Sequence, residues 1–331
     1  MSPRTVITFS APSEQRRAIA AILEPFGKIA FLADAGEDPG ARAAMLESAE
    51  ALIVGHPGRE LTAADRASLG RVGLIQLVSA GADHVDFAAL PPAAVVAGNV
   101  GAFADPIAEH VLAMTLALAK RLARGHAMLA AGSFDELDTL RLRGGTAGIV
   151  GYGGIGRASA RLLRALGMSI YAVNTTGRAD EHADRAGTLA DLPGVLAQAD
   201  VLVLALPLTL ATRGLIGAAE LGLMKSRAIL VNVARGAIVE QDALFAHLRA
   251  HPEFCAGIDT WWDEPRHGEP FRPRLPFLSL PNVLGSPHNS GDVPGIVVES
   301  LATAARNVAA FLRGDPPRGV QDPADYAAQP T

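Results

Sequence analysis

The sequence predicts an α/β protein of two domains, each built around a doubly wound parallel β-sheet. Short apolar runs alternate with helical patterns over residues 6–97, and the same alternation returns over residues 146–258. Strands that alternate with helices are typical of parallel sheets covered by helices on both faces. At 331 residues the chain is long enough for two domains with separate cores.

Composition and charge narrow the class of function. Apolar residues make up 49% of the chain and charged residues 19%, as in an ordinary globular enzyme. The net charge is -5 and the 29 basic residues are scattered, so we expect no nucleic-acid partner. Residues 1–10 do not resemble a signal peptide and no apolar run is long enough to span a bilayer, so we expect a cytoplasmic protein without membrane contact. Cys255 is expected to be a buried core residue, and no metal site is expected.

The first hundred residues predict a sheet whose strands lie at 6–9, 29–32, 52–54, 74–78 and 95–97, with helices at 14–23, 41–50 and 63–69. The fourth of these strands leads into Ser79-Ala80-Gly81-Ala82-Asp83, a glycine-bearing turn. Open α/β sheets bind ligands at the carboxyl ends of their strands. The turn is therefore a candidate ligand site, although a plain turn would have the same sequence.

Residues 105–131 predict one long helix with Pro106 in its first turn. A helix of this length tends to link domains or to pair with a partner. Within it, His110 and His126 are expected to be packed or solvated rather than catalytic. Residues 132–145, which are charged and punctuated by glycine, predict a connection or an arm.

A glycine-rich turn follows the strand at 147–150. Gly151, Gly153 and Gly156 have G-x-G-x-x-G spacing, and a helix is expected at 157–166. Glycines at this spacing allow a tight turn, let a pyrophosphate approach the backbone and let the helix pack closely on its strand, although such a turn can also be only a tight connection. The next strand, at 169–173, ends at Asn174, where a ribose-reading residue is expected. We interpret this part of the chain as a dinucleotide-binding unit.

The remaining elements complete a sheet of six or more strands. We predict strands at 201–206, 228–231 and 254–258, helices at 192–198, 218–224, 241–251 and 296–311, a proline-rich loop at 266–281 and a poorly ordered tail after Gly314. The last helix is expected to pack back on the first domain.

Three polar clusters follow strands of the second domain. Arg235 comes shortly after one strand, Glu264 lies in the acidic segment that begins at Asp259, and His288 lies in a loop rich in proline and glycine. Each has an ordinary explanation, as a surface ion pair, a solvated acid and a loop histidine. Together they place a cation, an acid and an imidazole at one sheet edge, which suits carboxylate binding and proton transfer.

The order of these segments and the residues within them resemble those of the D-isomer-specific 2-hydroxyacid dehydrogenases. The resemblance covers most of the chain, at 79–86, 108–110, 151–156, 206–216, 224–225, 232–236, 259–265, 281–283 and 287–288. It implies a homodimer whose Rossmann-type cofactor domain, residues 101–289, is inserted into a flavodoxin-like substrate domain, residues 1–100 plus 290–331. The active site would lie in the cleft between the two domains.

The resemblance also implies residue roles. Arg235 would hold the substrate carboxylate and polarise the C2 carbonyl, aided by the backbone N–H groups of Ala80 and Gly81. His288 would donate a proton to the carbonyl oxygen as hydride arrives, and Glu264 would fix its tautomer and raise its pKa. The expected cofactor contacts are Gly151, Gly153, Gly154, Ile155, Gly156, Asn174, Thr175, Arg178, Leu206, Pro207, Thr212, Val233, Ala234 and Asp259. Asp259 is expected near the nicotinamide carboxamide, or else it caps a turn.

Two features depart from the family pattern. Position 174 is asparagine rather than an acidic residue, which removes the main barrier to a 2′-phosphate. We therefore favour NADP, with Arg178 and the neighbouring threonines binding that phosphate, while NAD stays possible because Asn174 can still bind a ribose. The adjacent Trp261 and Trp262 would form an aromatic wall that limits the substrate or shields the hydride path, or they would pack on a dimer partner.

The leading functional hypothesis is NAD(P)H-dependent reduction of a small 2-oxoacid, such as glyoxylate, hydroxypyruvate or a larger 2-oxoacid. A phosphite dehydrogenase uses the same three residue types and stays open as an alternative. A formate dehydrogenase is less expected, because that branch has glutamine where this chain has Glu264. A non-catalytic, nucleotide-sensing protein like the corepressors of this fold is the alternative from a different class.

Overall fold

A computed structural model describes residues 4–265 and 268–326. The chain forms two compact units, the first from the described parts of Met1–Ala102 and Val293–Thr331 and the second from Phe103–Asp292. Each unit is built on one parallel sheet. The predicted α/β fold class is therefore confirmed.

The first unit has a five-stranded parallel sheet in the order β2-β1-β3-β4-β5, the order of flavodoxin-like folds. Its strands are β1 Thr5–Ile7, β2 Ile29–Phe31, β3 Ala51–Val54, β4 Leu74–Leu77 and β5 Val95–Ala97, and its first four helices are α1 Ser13–Leu23, α2 Pro39–Leu46, α3 Pro57–Glu60 and α4 Ala63–Ala67. Successive strand residues face opposite sides of the sheet. Accordingly, Leu52 and Val54 belong to one buried apolar cluster, whereas Ala51 and Ile53 belong to the other.

The second unit has a seven-stranded parallel sheet in the order β12-β11-β10-β9-β6-β7-β8. Its strands are β6 Thr146–Val150, β7 Ser169–Val173, β8 Arg185–Gly187, β9 Val201–Leu204, β10 Ile229–Asn232, β11 Cys255–Ile258 and β12 Val283–Gly285. Its helices are α5 Ala104–Ala119, α6 Leu122–Ala130, α7 Gly154–Ala165, α8 Leu192–Gln198, α9 Ala218–Leu223 and α10 Gln241–Ala250. The order reverses beside β6, which is the position where doubly wound sheets bind dinucleotides.

The two edge strands of this sheet, β8 and β12, were not predicted. Each has three residues and includes a glycine, so neither has the apolar run that identified the central strands. Cys255, in contrast, is buried inside the second unit as expected.

The predicted long helix at 105–131 is wrong, because the chain breaks it into α5 and α6. Arg121 adopts a left-handed backbone conformation with a φ of 50°. The break is fixed by the returning segment, in which the Leu140 N–H donates to the Ala119 carbonyl at 2.8 Å and the Arg121 side chain donates to the Asp138 carbonyl at 2.8 Å. The first contact takes up the Ala119 carbonyl, which a continuous helix would use itself.

The short helix α6 buries none of its residues. Leu122 and Leu129 on it are exposed, and so is Phe134 in the arm that follows. The homodimer implied by the family resemblance stays a prediction.

The expected disorder after Gly314 is wrong for residues 315–326. The last helix, α11 Ile296–Leu312, packs on α1, and the chain beyond it pairs with the edge of the first sheet. Val320 forms an antiparallel bridge with Ala97, and the Tyr326 ring stacks on Phe87 with centroids 5.2 Å apart. Residues 327–331 lie outside the described part of the chain.

The described part of the loop at 266–281 is anchored by Phe277, which is fully buried within the second unit; positions 266 and 267 of the predicted loop lie outside the described residues. Among the described residues no helix combines the length and apolar character needed to cross a membrane. Nor do the described ranges contain a group of three or more His, Cys, Asp or Glu side chains placed to hold a metal ion.

The turn between β6 and α7 depends on two glycines. Gly151 has a φ of 93°, and a Cβ there would lie 2.4 Å from the Ala205 carbonyl oxygen. A Cβ at Gly156 would lie 2.1 Å from the Gly151 carbonyl oxygen. These two positions let the first turn of α7 pack directly against the strand end, which is the geometry that a phosphate-binding turn requires.

We expect Gly156→Ala to destabilise the second unit by about 1–3 kcal/mol, because the added methyl group must displace backbone atoms. Gly194→Ala is a matched control, since Gly194 is also helical and a Cβ there meets nothing within 4 Å. That variant should be unchanged or more stable by up to about 1 kcal/mol. Urea unfolding followed by tryptophan fluorescence reports on this unit, since both tryptophans of the chain lie in it. Equal stability of the two variants would contradict the close approach.

Candidate active site

The candidate residues of the second unit lie at the carboxyl edge of its sheet. Gly151 follows β6, Leu206 and Pro207 follow β9, Arg235 follows β10 and Asp259 follows β11. His288 lies three residues beyond the end of β12. Because all seven strands are parallel, their carboxyl ends meet at one edge.

The turn before α7 has space for a phosphate group. Gly153 is the N-cap of α7, which carries no side-chain cap, and a Cβ at Gly153 would meet nothing within 4 Å. The first N–H groups of a helix have no intrahelical partner and lie at the positive end of its dipole. Gly154, Ile155 and Gly156 supply these groups, so the residues present fit the pyrophosphate of a dinucleotide.

The Asn174 side chain is fully engaged in holding its own loop. Its Oδ1 accepts hydrogen bonds from the backbone N–H groups of Thr176 at 2.9 Å and Gly177 at 2.8 Å, and its Nδ2 donates to the Arg178 carbonyl at 2.6 Å. This is the local turn that asparagine favours. The loop leaves the side chains of Thr175 and Arg178 exposed. A ribose contact by Asn174 would therefore have to compete with this turn.

Sequence reasoning missed the acidic residue beside the glycine-rich turn. The Tyr152 hydroxyl donates to Asp180 Oδ1 at 2.7 Å, and Arg157 Nε lies 3.7 Å from Asp180 Oδ2. Burial and the neighbouring carboxylate both raise the pKa of Tyr152, and the Tyr152 hydrogen bond lowers the pKa of Asp180. Asp180 lies six positions beyond the expected one, so spacing alone does not identify it; the tyrosine inside the glycine motif is the available signal.

Two other predicted cofactor segments are held by their own turns. After β9, the buried Thr212 hydroxyl donates to the Pro207 carbonyl at 2.7 Å. After β10, the Asn232 side chain accepts from the Ala234 N–H at 3.0 Å and donates to the Arg235 carbonyl at 2.9 Å. Val233 and Ala234 are buried within this second turn. Both segments thus present a fixed backbone at the sheet edge.

Arg235 is held near Glu264 by a close backbone contact. A Cβ at Gly236 would lie 2.4 Å from the Trp261 carbonyl carbon and 2.6 Å from the Trp262 nitrogen, so the two loops touch through a glycine. The Arg235 guanidinium also donates to the Ala234 carbonyl at 2.8 Å. Its positive charge acts on the pKa values of both Glu264 and His288, which places the three groups in one electrostatic environment.

His288 and Glu264 form a hydrogen-bonded pair. His288 Nδ1 lies 2.8 Å from Glu264 Oε2, and Glu264 Oε1 accepts the Trp261 N–H at 2.9 Å. The side chains of the pair are 41% and 37% exposed, so the site can be reached by solvent and substrate. Since a carboxylate only accepts, Nδ1 carries a proton and Nε2 is the nitrogen available for exchange.

The two members of this pair shift each other's pKa. The hydrogen bond to Glu264 raises the pKa of His288 above its ordinary value, against the opposing effects of burial and of Arg235. Burial tends to raise the pKa of Glu264, but the hydrogen bonds from His288 and the Trp261 N–H lower it overall. The arrangement therefore favours an imidazolium next to an ionised carboxylate.

His288 has an unusual backbone, with a φ of 52° that few non-glycine residues adopt. Its N–H donates to the Asp259 carbonyl at 2.9 Å. The Asp259 side chain is fully buried and accepts from Ser286 Oγ at 2.5 Å and from the Asn289 N–H at 3.2 Å. Asp259 thus anchors the loop that carries His288, and sequence reasoning did not predict this contact.

The two tryptophans pack inside the second unit. Trp261 is 8% exposed, and the Trp262 ring stacks on Phe277 with centroids 5.1 Å apart. Trp261 Nε1 donates to the Ser286 carbonyl at 2.9 Å, and Trp262 Nε1 donates to the Val239 carbonyl at 2.7 Å. Both rings contact Phe277, and Trp261 joins the Glu264 segment to the His288 loop.

The remaining predicted residues, Ala80 and Gly81, lie in the first unit. They follow β4, and the Ser79 hydroxyl donates to the Gly81 carbonyl at 2.9 Å. The backbone is crowded there, since a Cβ at Gly98 would lie 2.2 Å from the Ala80 carbonyl oxygen. Their role toward a substrate carboxylate stays a prediction.

Known proteins share this architecture. Residues 112–290 match the NAD binding domain of the D-isomer specific 2-hydroxyacid dehydrogenases. A glyoxylate reductase of Aeropyrum pernix is 31% identical over 257 residues, which cover 75% of each chain. A structure from Pyrobaculum aerophilum, described as a candidate formate dehydrogenase, superposes with a TM-score of 0.81 and 29% identity and covers 99% of this chain and 100% of its own.

A third relative was solved with a cofactor. The D-isomer specific 2-hydroxyacid dehydrogenase of Xanthobacter autotrophicus Py2, in complex with NADPH and MES, superposes with a TM-score of 0.79 and 26% identity and covers 98% of this chain and 99% of its own. The family match, the shared fold and the glycine-rich turn after β6 agree. This chain therefore belongs to the D-isomer specific 2-hydroxyacid dehydrogenase family, as an oxidoreductase with a nicotinamide-dinucleotide domain.

Proposed function

We propose that the protein reduces a small 2-oxoacid to the corresponding D-2-hydroxyacid with NADPH. The observation that carries this proposal is the His288–Glu264 pair, with Nδ1 and Oε2 2.8 Å apart beside the Arg235 guanidinium. An imidazolium with a raised pKa is a proton donor near neutral pH, and a guanidinium binds a carboxylate through two parallel hydrogen bonds. These are the two tasks that 2-oxoacid reduction requires of a protein.

Each residue has a distinct task in this reaction. Arg235 binds the substrate carboxylate and polarises the C2 carbonyl, with Ala80 and Gly81 assigned to the same carboxylate. His288 gives its Nε2 proton to the carbonyl oxygen, while Glu264 keeps accepting from Nδ1 and stabilises the charged ring. Gly151, Gly153 and the α7 N-terminus would hold the nicotinamide cofactor, which would supply the hydride. In the oxidation direction the neutral imidazole takes the proton back at Nε2.

Turnover assays with a panel of 2-oxoacids and both reduced cofactors test the proposed activity. We expect reduction of at least one small 2-oxoacid, such as glyoxylate or hydroxypyruvate, and loss of nearly all turnover in His288→Ala with cofactor affinity retained. Phosphite with the oxidised cofactors belongs in the same panel. Cofactor binding without any turnover would contradict the proposal and would favour a nucleotide-sensing protein.

The pH dependence follows from the raised pKa of His288. Reduction needs the imidazolium, so kcat/KM for reduction should be highest at pH values below the His288 pKa and should fall as the pH rises through it. Glu264→Gln removes the charge that raises this pKa. The pH at which kcat/KM falls should therefore be lower in this variant, and its rate near neutral pH should be reduced. A pH–rate profile measures this. Asp263→Asn, which removes the neighbouring exposed carboxylate, is the matched control and should leave the pH at which kcat/KM falls unchanged. If that pH is also unchanged in Glu264→Gln, the proposed role of the His288–Glu264 pair is contradicted.

The preference for NADP rests on the loop after β7. This loop presents Arg178 and Thr175 at the surface, has no acidic side chain at position 174, and engages Asp180 with Tyr152 and Arg157. A cationic side chain suits a 2′-phosphate when the nearby carboxylate is engaged with other groups.

We expect Arg178→Ala to lower kcat/KM for NADPH roughly 10-fold or more with little effect on NADH, because a charge-assisted hydrogen bond to the phosphate is lost. Asn174→Asp should also lower the ratio of kcat/KM with NADPH to kcat/KM with NADH, because it places a negative charge where the adenosine ribose of the cofactor is expected. Steady-state kinetics with both cofactors measure the ratio. Arg185→Ala, which removes an exposed arginine at the start of the neighbouring strand β8, is the control. An unchanged ratio in both Arg178→Ala and Asn174→Asp would overturn the NADP assignment.

A further inference from the structure

We propose that His110 and Ser286 are positioning residues, which act through Asp259 to hold the His288 imidazole toward its substrate. This inference rests on the proposed role of His288 as proton donor. It assigns a task to a helix histidine that the sequence analysis expected to be packed or solvated.

The three side chains form a continuous hydrogen-bonded chain within the second unit. His110 Nε2, on α5, lies 2.9 Å from Ser286 Oγ. Ser286 Oγ in turn lies 2.5 Å from Asp259 Oδ1, and His110 Nε2 is 3.7 Å from the same carboxylate oxygen. A helix, a strand end and the loop after the next strand therefore meet at one buried carboxylate.

The direction of each hydrogen bond in this chain is fixed. Both Asp259 oxygens act as acceptors, since Oδ1 receives the Asn289 N–H at 3.2 Å and Oδ2 receives the Ser290 N–H at 3.3 Å. The single Ser286 hydroxyl proton therefore points to Asp259. A serine oxygen that donates its only proton must accept from its other neighbour, so His110 carries a proton on Nε2 and donates to Ser286.

The hydrogen bonds from His110 through Ser286 to Asp259 control the backbone conformation of His288. Asp259 accepts four hydrogen bonds from the loop 286–290. Its side chain accepts from the Ser286 hydroxyl and from the Asn289 and Ser290 N–H groups, and its main-chain carbonyl accepts from the His288 N–H. The left-handed φ of His288 persists only where surrounding contacts impose it. Removing the Ser286 hydroxyl or its His110 donor loosens the carboxylate that imposes it.

The consequence appears at the other face of the imidazole. Glu264 can accept from Nδ1 at 2.8 Å only while the ring keeps its direction. The groups that act on the charge of this ring are Glu264, Arg235 and Asp259. When the loop loosens, the contact with Glu264 lengthens and the pKa of His288 falls toward the ordinary histidine value.

The test measures the His288 pKa directly by NMR titration of the full-length protein labelled with ¹³C-histidine, with the signal assigned by its absence in His288→Gln. Ser286→Ala and His110→Leu should lower this pKa. Ser286→Thr and His110→Gln, which keep a hydroxyl and a donor at the same places, should restore it to the wild-type value. Thr115→Val removes a buried hydroxyl on the same helix that donates to the Val111 carbonyl within α5, and it should leave the His288 pKa unchanged.

Kinetics supply the second measurement. In the two variants that break the chain, kcat for 2-oxoacid reduction should fall roughly 10- to 100-fold, the scale expected when a reacting group is displaced by up to 1 Å, with KM for the cofactor unchanged. Wild-type His288 pKa in folded Ser286→Ala and His110→Leu would overturn the inference. The titration needs no substrate, so failure of the wild-type protein to reduce any 2-oxoacid would overturn the proposed function alone.

Discussion

A carboxylate removed from water must be surrounded by hydrogen-bond donors, and the architecture of this site depends on how Asp259 obtains them. An unpaired buried charge costs several kcal/mol, so the conformation that supplies its donors is strongly selected. Here the donors come from the loop after β12. The strained backbone at His288 is the geometric result of satisfying Asp259, and the direction of the imidazole follows from it.

Much of the site could be predicted from the sequence because parallel strands gather their carboxyl ends at one edge. Arg235 and His288 each lie three residues beyond a strand end, and Gly151 immediately follows β6. Because only a few residues separate these positions from the end of a recognisable apolar strand, they must lie near the sheet edge, whatever the conformation of their loops. Glu264, further from its strand, is brought back by the hydrogen bond from the Trp261 N–H.

The features that sequence reasoning missed are contacts between distant segments. The carboxylate near the glycine-rich turn comes from Asp180, because the Tyr152 hydroxyl, 28 positions earlier in the chain, donates to it. The helical pattern around residue 121 is locally continuous, yet Leu140 caps the helix end at Ala119. Local propensity does not encode the partner that arrives from elsewhere in the chain. The same holds for the final segment, whose polar sequence gives no sign that Val320 pairs with Ala97.

The contact between Gly236 and the backbone of Trp261 and Trp262 has a consequence for how this enzyme can diverge. The loop that bears the guanidinium and the loop that bears the carboxylate partner of His288 touch with no side chain between them. A shift of either loop is therefore transmitted to the other. Under the proposed function, a substitution that moves the Arg235 loop to fit another substrate would therefore also disturb the carboxylate that sets the pKa of His288.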